Sequence, residues 1–221
     1  MKGYADYMIV LSPPDEISGQ IKKHKADAAG IIGAYESLHS QAHISIKTMP
    51  RRKPFMAEPE IRGLEKNIQL LPPVSLMIDG FDFFAHGDEY RTVYAAIRST
   101  YSTAQWFRAL KKGLNIKDYL VPHITIARNI HVTAHNKLWP HFKNLRWIEP
   151  FTIDNLTILH RQAFDTFAHW EVFTEIPFEG RHLVQEKPPR PSLLKPMPEN
   201  QSNSRQTSLF EEKGLKVKEE G

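Results

Sequence analysis

His43-Ile44-Ser45-Ile46 and His123-Ile124-Thr125-Ile126 repeat one pattern: histidine, isoleucine, hydroxyl residue, isoleucine. Each run is β-branched and alternates polar with apolar residues, as a short half-buried strand does. Successive side chains on a strand point to opposite faces. His43 and Ser45 therefore fall on one face, Ile44 and Ile46 on the other, and the second run divides the same way. Brought face to face, the copies offer two imidazoles and two hydroxyls to one cleft. Histidine has an ordinary pKa of about 6.5, so near neutral pH one imidazole can take a proton from an attacking oxygen while the other gives one to a leaving oxygen. The hydroxyls can donate hydrogen bonds to charge developing on neighbouring oxygens. Cleavage of a phosphate ester uses such a set, and it calls for neither a metal ion nor a cofactor.

At these residues the sequence resembles the 2H phosphoesterase superfamily, whose mark is a twice-repeated His-x-(Ser/Thr)-x motif. Within it, the chain is similar to the bacterial RNA 2′,3′-cyclic phosphodiesterases, also called 2′-5′ RNA ligases. The second copy, Val121-Pro122-His123-Ile124-Thr125-Ile126-Ala127-Arg128, looks very like the family's Pro-His-(Ile/Val)-Thr-(Leu/Ile)-Ala-Arg segment, and the first, Ala42-His43-Ile44-Ser45-Ile46-Lys47, has Ser where Thr is commoner. The resemblance covers residues 5–180 or so. It implies a two-lobed α+β fold, each lobe an antiparallel-rich sheet packed by helices, with the active cleft between lobes. It also implies a metal-independent phosphodiesterase that opens the 2′,3′-cyclic phosphate of an RNA end or nucleotide, and in reverse a 2′-5′ RNA ligase. His43 and His123 are then general acid and general base, in an order that depends on how the substrate lies. Ser45 and Thr125 are the ligands of the non-bridging oxygens. Arg128 is a further candidate to neutralise a phosphate, as is Lys47, which alternation puts on the His43 face.

The chain of 221 residues carries a formal charge of +4 and no cysteine. Disulfides, thiolate catalysis and cysteine-ligated metals are excluded, and a reducing cytoplasm is the expected compartment. A mildly basic balance suits a phosphorylated substrate or RNA. No stretch reads as a signal peptide or a membrane span. His131 and His135 share the four-residue spacing of helical metal ligands, as do His39 and His43, but without the glutamate of a zincin motif, and no zinc site is expected.

The elements that must position the histidines follow from periodicity and breakers. The pattern predicts a strand over Tyr7–Leu11, a helix from Asp15 to about Ala34, the first motif strand to Met49, and a basic loop over 50–54. A helix from Glu58 to Leu71, a strand from Val74 to Ala85 bent at Gly80, and a return strand over 92–97 come next. Ser102 or Thr103 is expected to cap a helix ended by Gly113, and a further helix should follow the second motif. Strands over 151–159 and 170–176 close a domain of residues 1–180. Residues 181–221, rich in Pro, Glu, Lys, Gln and Ser, read as a flexible tail. Within the tail, Gln206-Thr207-Ser208-Leu209-Phe210 resembles the peptide by which bacterial proteins dock on the replication sliding clamp, with Thr207 where Leu is usual. Gln206, Leu209 and Phe210 are its candidate anchors. This leaves an alternative to an enzyme: a module that binds RNA ends or nucleotides without turning them over, recruited by its tail to a DNA-processing complex.

Overall fold

The computed structural model describes residues 3–180. Its elements are β1 (Ala5–Leu11), α1 (Asp15–Ile32), β2 (Ile44–Arg52), α2 (Pro54–Gln69), β3 (Val74–His86), β4 (Tyr90–Ile97), α3 (Tyr101–Gly113), β5 (His123–His131), α4 (Val132–Lys143), β6 (Ile148–Ile153), β7 (Asn155–Gln162) and β8 (Glu171–Pro177). They build two four-stranded sheets, ordered β2-β1-β7-β8 and β5-β4-β3-β6, with antiparallel pairing throughout. The expected two-lobed α+β architecture is therefore present. In each lobe a strand, a helix and a motif strand follow one another, β1-α1-β2 and β4-α3-β5, and the motif strand takes the open edge of its sheet. The two edges meet, β2 against β5.

Apolar residues of both motif strands hold this arrangement. Ile44, Ile46, Ile124 and Ile126 are buried in one continuous core with Ile9 and Leu11 of β1 and Val93 and Ala95 of β4. Full burial of such a side chain favours the fold by roughly 1.5–3 kcal/mol. Helix α1 packs on β5 and α4, so the helix that leads to the first motif also braces the second. Its C-terminus is turned by Gly33 at φ 81°, a left-handed conformation that glycine adopts without strain.

Several boundaries differ from expectation for local reasons. The run over 151–159 is two strands, β6 and β7, parted at Asp154 and sent to different sheets. Helix α2 begins at Pro54, whose missing N–H is harmless in a first turn, so the basic loop is shorter than the sequence predicts. Helix α3 is capped by Thr100, not by Ser102 or Thr103: the Thr100 side chain accepts from the Thr103 N–H while the Thr103 hydroxyl accepts from the Thr100 N–H. Gly80 does bend β3, at φ 75° and with a register shift between Ile78 and Phe81. Among the described residues no helix is long and apolar enough to cross a membrane. Gln206, Leu209 and Phe210 lie outside the described residues.

Candidate active site

Each motif strand carries a β-bulge at the same point. In the first, Val10 pairs with Ser45 but Ile9 pairs with Lys47, leaving Ile46 as the extra residue. In the second, Tyr94 pairs with Thr125 but Val93 pairs with Ala127, leaving Ile126. Paired residues on neighbouring strands share a face, and an extra residue reverses the alternation beyond it. Lys47 is thereby set opposite Ile9, whose side chain is in the core, and the placement of Lys47 on the His43 face is corrected. The same reversal acts in favour of Arg128. Strict alternation from His123 would send it to the far face; after the bulge it returns to the face of His123 and Thr125.

The two imidazoles are held in the same way. Nδ1 of His43 lies 2.9 Å from the Gln41 carbonyl oxygen, and Nδ1 of His123 lies 2.8 Å from that of Val121. A carbonyl only accepts, so each ring donates its Nδ1–H to the backbone two residues earlier and turns a bare Nε2 outward. Ser45 and Thr125 are half-buried, and neither hydroxyl is engaged by another described residue.

The electrostatics are one-sided. Burial first, then the charges of Arg128, Lys25 and His123, push the His43 pKa below its ordinary value, against the bond to Gln41. Burial and Arg128 do the same to His123, against the bond to Val121. Every charge acting on His43 is positive. Arg128 reaches both histidines and Lys25 as well, so these four groups surround one space. A site that gathers cations and depresses their protonation is arranged for an anion.

Sequence reasoning missed two aromatic residues here. Tyr94 and Phe84 stack with centroids 4.2 Å apart, and both rings contact His123, at 5.0 Å and 4.9 Å. Burial, with Asp82 adding to it, lifts the Tyr94 hydroxyl to about 12, which leaves this wall neutral at physiological pH. Tyr94 faces Thr125 across the ladder, a relation visible only once the bulged register is known. Sequence reasoning also missed Lys25, buried among the exposed charges of α1.

The histidine pairs weighed as metal ligands do not converge. His131 caps α4 through Nδ1, accepting from the Thr133 N–H, while His135 is buried against Phe83 and Trp139. Among the described residues no three His, Asp or Glu side chains gather where they could hold a metal ion. Next to the His123 end of β5 lies a cavity of about 490 Å³, lined by Arg108, Lys111, Lys112, Phe107, Tyr119 and Pro122, among others.

Comparison with known proteins accords with this geometry. The family model of the 2′-5′ RNA ligase superfamily matches residues 13–164. A search of curated proteins finds no match. Among solved structures, TT0787 of Thermus thermophilus superposes with a TM-score of 0.57 at 14% identity, over 80% of this chain and 100% of that one. E. coli LigT in apo form gives 0.56 at 13%, over 80% and 98%, and LigT complexed with phosphate gives 0.53 at 11%, over the same shares. The structural likenesses concern the fold; the family match, which takes in both histidines and both hydroxyl residues, concerns the site. The chain belongs to the 2′-5′ RNA ligase superfamily, the 2H phosphoesterases.

Proposed function

We propose that the cleft hydrolyses a 2′,3′-cyclic phosphate, at an RNA end or in a nucleotide, by two-histidine acid–base catalysis. The observation that carries this is the all-positive environment of His43 together with its coupling to His123. A phosphodiester anion supplies the missing negative charge, and its arrival raises the affinity of both imidazoles for protons. His43, on which Lys25 and His123 act in addition to Arg128, is the more strongly held neutral and serves as general base, drawing the proton from water as its oxygen attacks phosphorus. His123, with fewer cations upon it, takes up a proton on substrate binding and delivers it to the ribose oxygen that leaves. Ser45 and Thr125 donate to the non-bridging oxygens and Arg128 offsets their charge. Run backwards with a 5′-hydroxyl in place of water, the same steps join RNA ends. The basic cavity beside Pro122 supports an RNA strand as substrate over an isolated nucleotide. The LigT structures complexed with phosphate and with 3′-AMP are consistent with such a ligand class.

The test is turnover of cyclic nucleotides in EDTA by the parent chain and by His43→Ala and His123→Ala. Each single variant is expected to lose about 10²–10⁴ in rate. A phosphodiester with a nitrophenolate leaving group needs little protonation, so His123→Ala should lose far less on that substrate than on the ribose ester, while His43→Ala should lose similarly on both. Full activity in the double variant would end the proposal.

A further inference from the structure

Lys25 is 2% exposed, on a helix whose neighbouring Lys22 and Lys23 are in solvent. Its ammonium rests on three oxygens, none of them a carboxylate: the Ser37 carbonyl at 3.1 Å, the Ser40 carbonyl at 2.6 Å and the Ser40 hydroxyl at 2.7 Å. The Ser40 hydroxyl in turn donates to the Ser37 carbonyl, and Tyr35 donates to the Lys25 carbonyl. These bonds pin the segment between α1 and β2, which ends at His43. Ser37 does more: its hydroxyl accepts the backbone N–H of Arg128 at 2.9 Å, on the other motif strand. A buried cation is costly unless its protons are all placed. Here they are placed on the one segment that touches both halves of the site.

We propose that Lys25 is a positioning residue of the phosphodiester site, locking the approach to His43 and, through Ser37, fixing β2 and β5 at the separation one phosphate requires, while adding positive potential to the cleft. Burial and the charge of Arg128 lower its pKa to about 8, so it is charged at neutral pH. The charged or titratable groups that bear on it and on His43 are Arg128 and His123 from β5; His141 of α4 acts on His24 instead.

The inference takes its kinetic consequence from the proposed function, but not its structural one. Lys25→Met keeps the stem and removes the ammonium. With adenosine 2′,3′-cyclic phosphate as probe, kcat should fall by about 10²-fold, the scale of an ångström of misplacement. In NMR titrations of the imidazoles, His43 should titrate higher than in the parent chain. Lys25→Arg keeps the charge, so His43 should titrate as in the parent while kcat is still reduced. Ser37→Ala leaves the bond from Lys25 to the Ser37 carbonyl but deletes the acceptor for Arg128, and kcat should fall with the His43 titration little changed. Parent-like kcat and an unmoved His43 titration in Lys25→Met would overturn the proposal. Should that variant fail to fold, parent-like kcat in both Lys25→Arg and Ser37→Ala would overturn it. If the parent chain does not turn the probe over, the proposed function fails, and the His43 shift in Lys25→Met alone decides whether Lys25 acts on the site.

Discussion

Replacing Phe84 by leucine measures what the aromatic wall behind His123 contributes. The Phe84 ring stacks on Tyr94 at 4.2 Å and meets His123 edge-on at 4.9 Å and 81°. Oriented ring pairs of this kind are worth roughly 0.5–1.5 kcal/mol each beyond the area they bury. Leucine keeps most of the apolar area, so losing both contacts costs the fold about 1–3 kcal/mol, and Tm falls by about 2–4 °C for each kcal/mol in a chain of this size. Only the His123 contact bears on the reaction. If its share restrains the imidazole in its productive orientation, kcat falls by about 2- to 10-fold, with KM for a cyclic nucleotide little changed because Phe84 holds no phosphate. Tyr94 still touches His123 at 5.0 Å, so the Phe84→Leu, Tyr94→Leu double variant should fall further than either single change. The three rings touch one another, and the two effects should therefore not add. The assay is steady-state kinetics with the His123 proton resonances followed in parallel, since removing adjacent rings shifts them. Parent-like kcat in the double variant, with those resonances moved as expected, would show that the wall is packing alone and refute the reasoning.

Stability should fall in mild acid. Burial is the first cause that pushes His24, His43, His123 and His135 below the ordinary histidine value; the unfolded chain then binds protons that the folded one refuses, so stability declines as pH drops below about 6.5 towards the folded values. Thermal melts from pH 8 to pH 5 check this, and a flat Tm would contradict it. Inorganic phosphate should protect most at the acid end if it pairs with protonated His43 and His123. In the basic cavity, Arg108→Ala with Lys111→Ala and Lys112→Ala should weaken binding of an oligonucleotide ending in a cyclic phosphate but not of a mononucleotide. The slope of log affinity against log salt should flatten by about 1.4 for two lost phosphate contacts, and equal effects on both ligands would remove the cavity from the substrate path. For the tail, a pull-down with purified sliding clamp should depend on Leu209 and Phe210; recovery unchanged by Leu209→Ala, Phe210→Ala would discard that partner.

What could be read from the amino acids was local and repeated. Two copies of one strand phrase, each with isoleucines on the hidden face, were enough to place the histidines and hydroxyls on common faces, because strand alternation holds over those three residues without knowledge of a partner strand. Lys47 fell beyond the reach of that rule. Its side depends on a bulge at Ile46, and a bulge is a property of two strands in register, not of one. Thr100 outcompetes Ser102 and Thr103 as a cap because β4 ends at Ile97 and α3 starts at Tyr101, a boundary the run of hydroxyl residues leaves ambiguous. Lys25 was hidden for the opposite reason: a lysine beside Lys22 and Lys23 on a helix reads as surface, and only the folded-back segment carrying Ser37 and Ser40 gives it partners.

The repeated bulge also explains how a duplicated site became one with a single arginine. In both copies the extra residue follows the hydroxyl, so the side chain two positions after it is returned to the face of the histidine. In the second copy that residue is Arg128; in the first it is Thr48. The cation that the first copy places one position earlier, Lys47, is turned opposite the core residue Ile9. A phosphodiester bears one negative charge, and two guanidinium or ammonium groups aimed at it, with Lys25 already buried alongside, would hold both imidazoles neutral and leave no proton for the departing oxygen. One arginine shared by both histidines offsets the substrate's charge and still lets His123 be protonated when the anion arrives. The motif thus supplies matched halves, and the residues just beyond the bulge, with those that surround each histidine, make the halves unequal in the sense that acid–base chemistry requires.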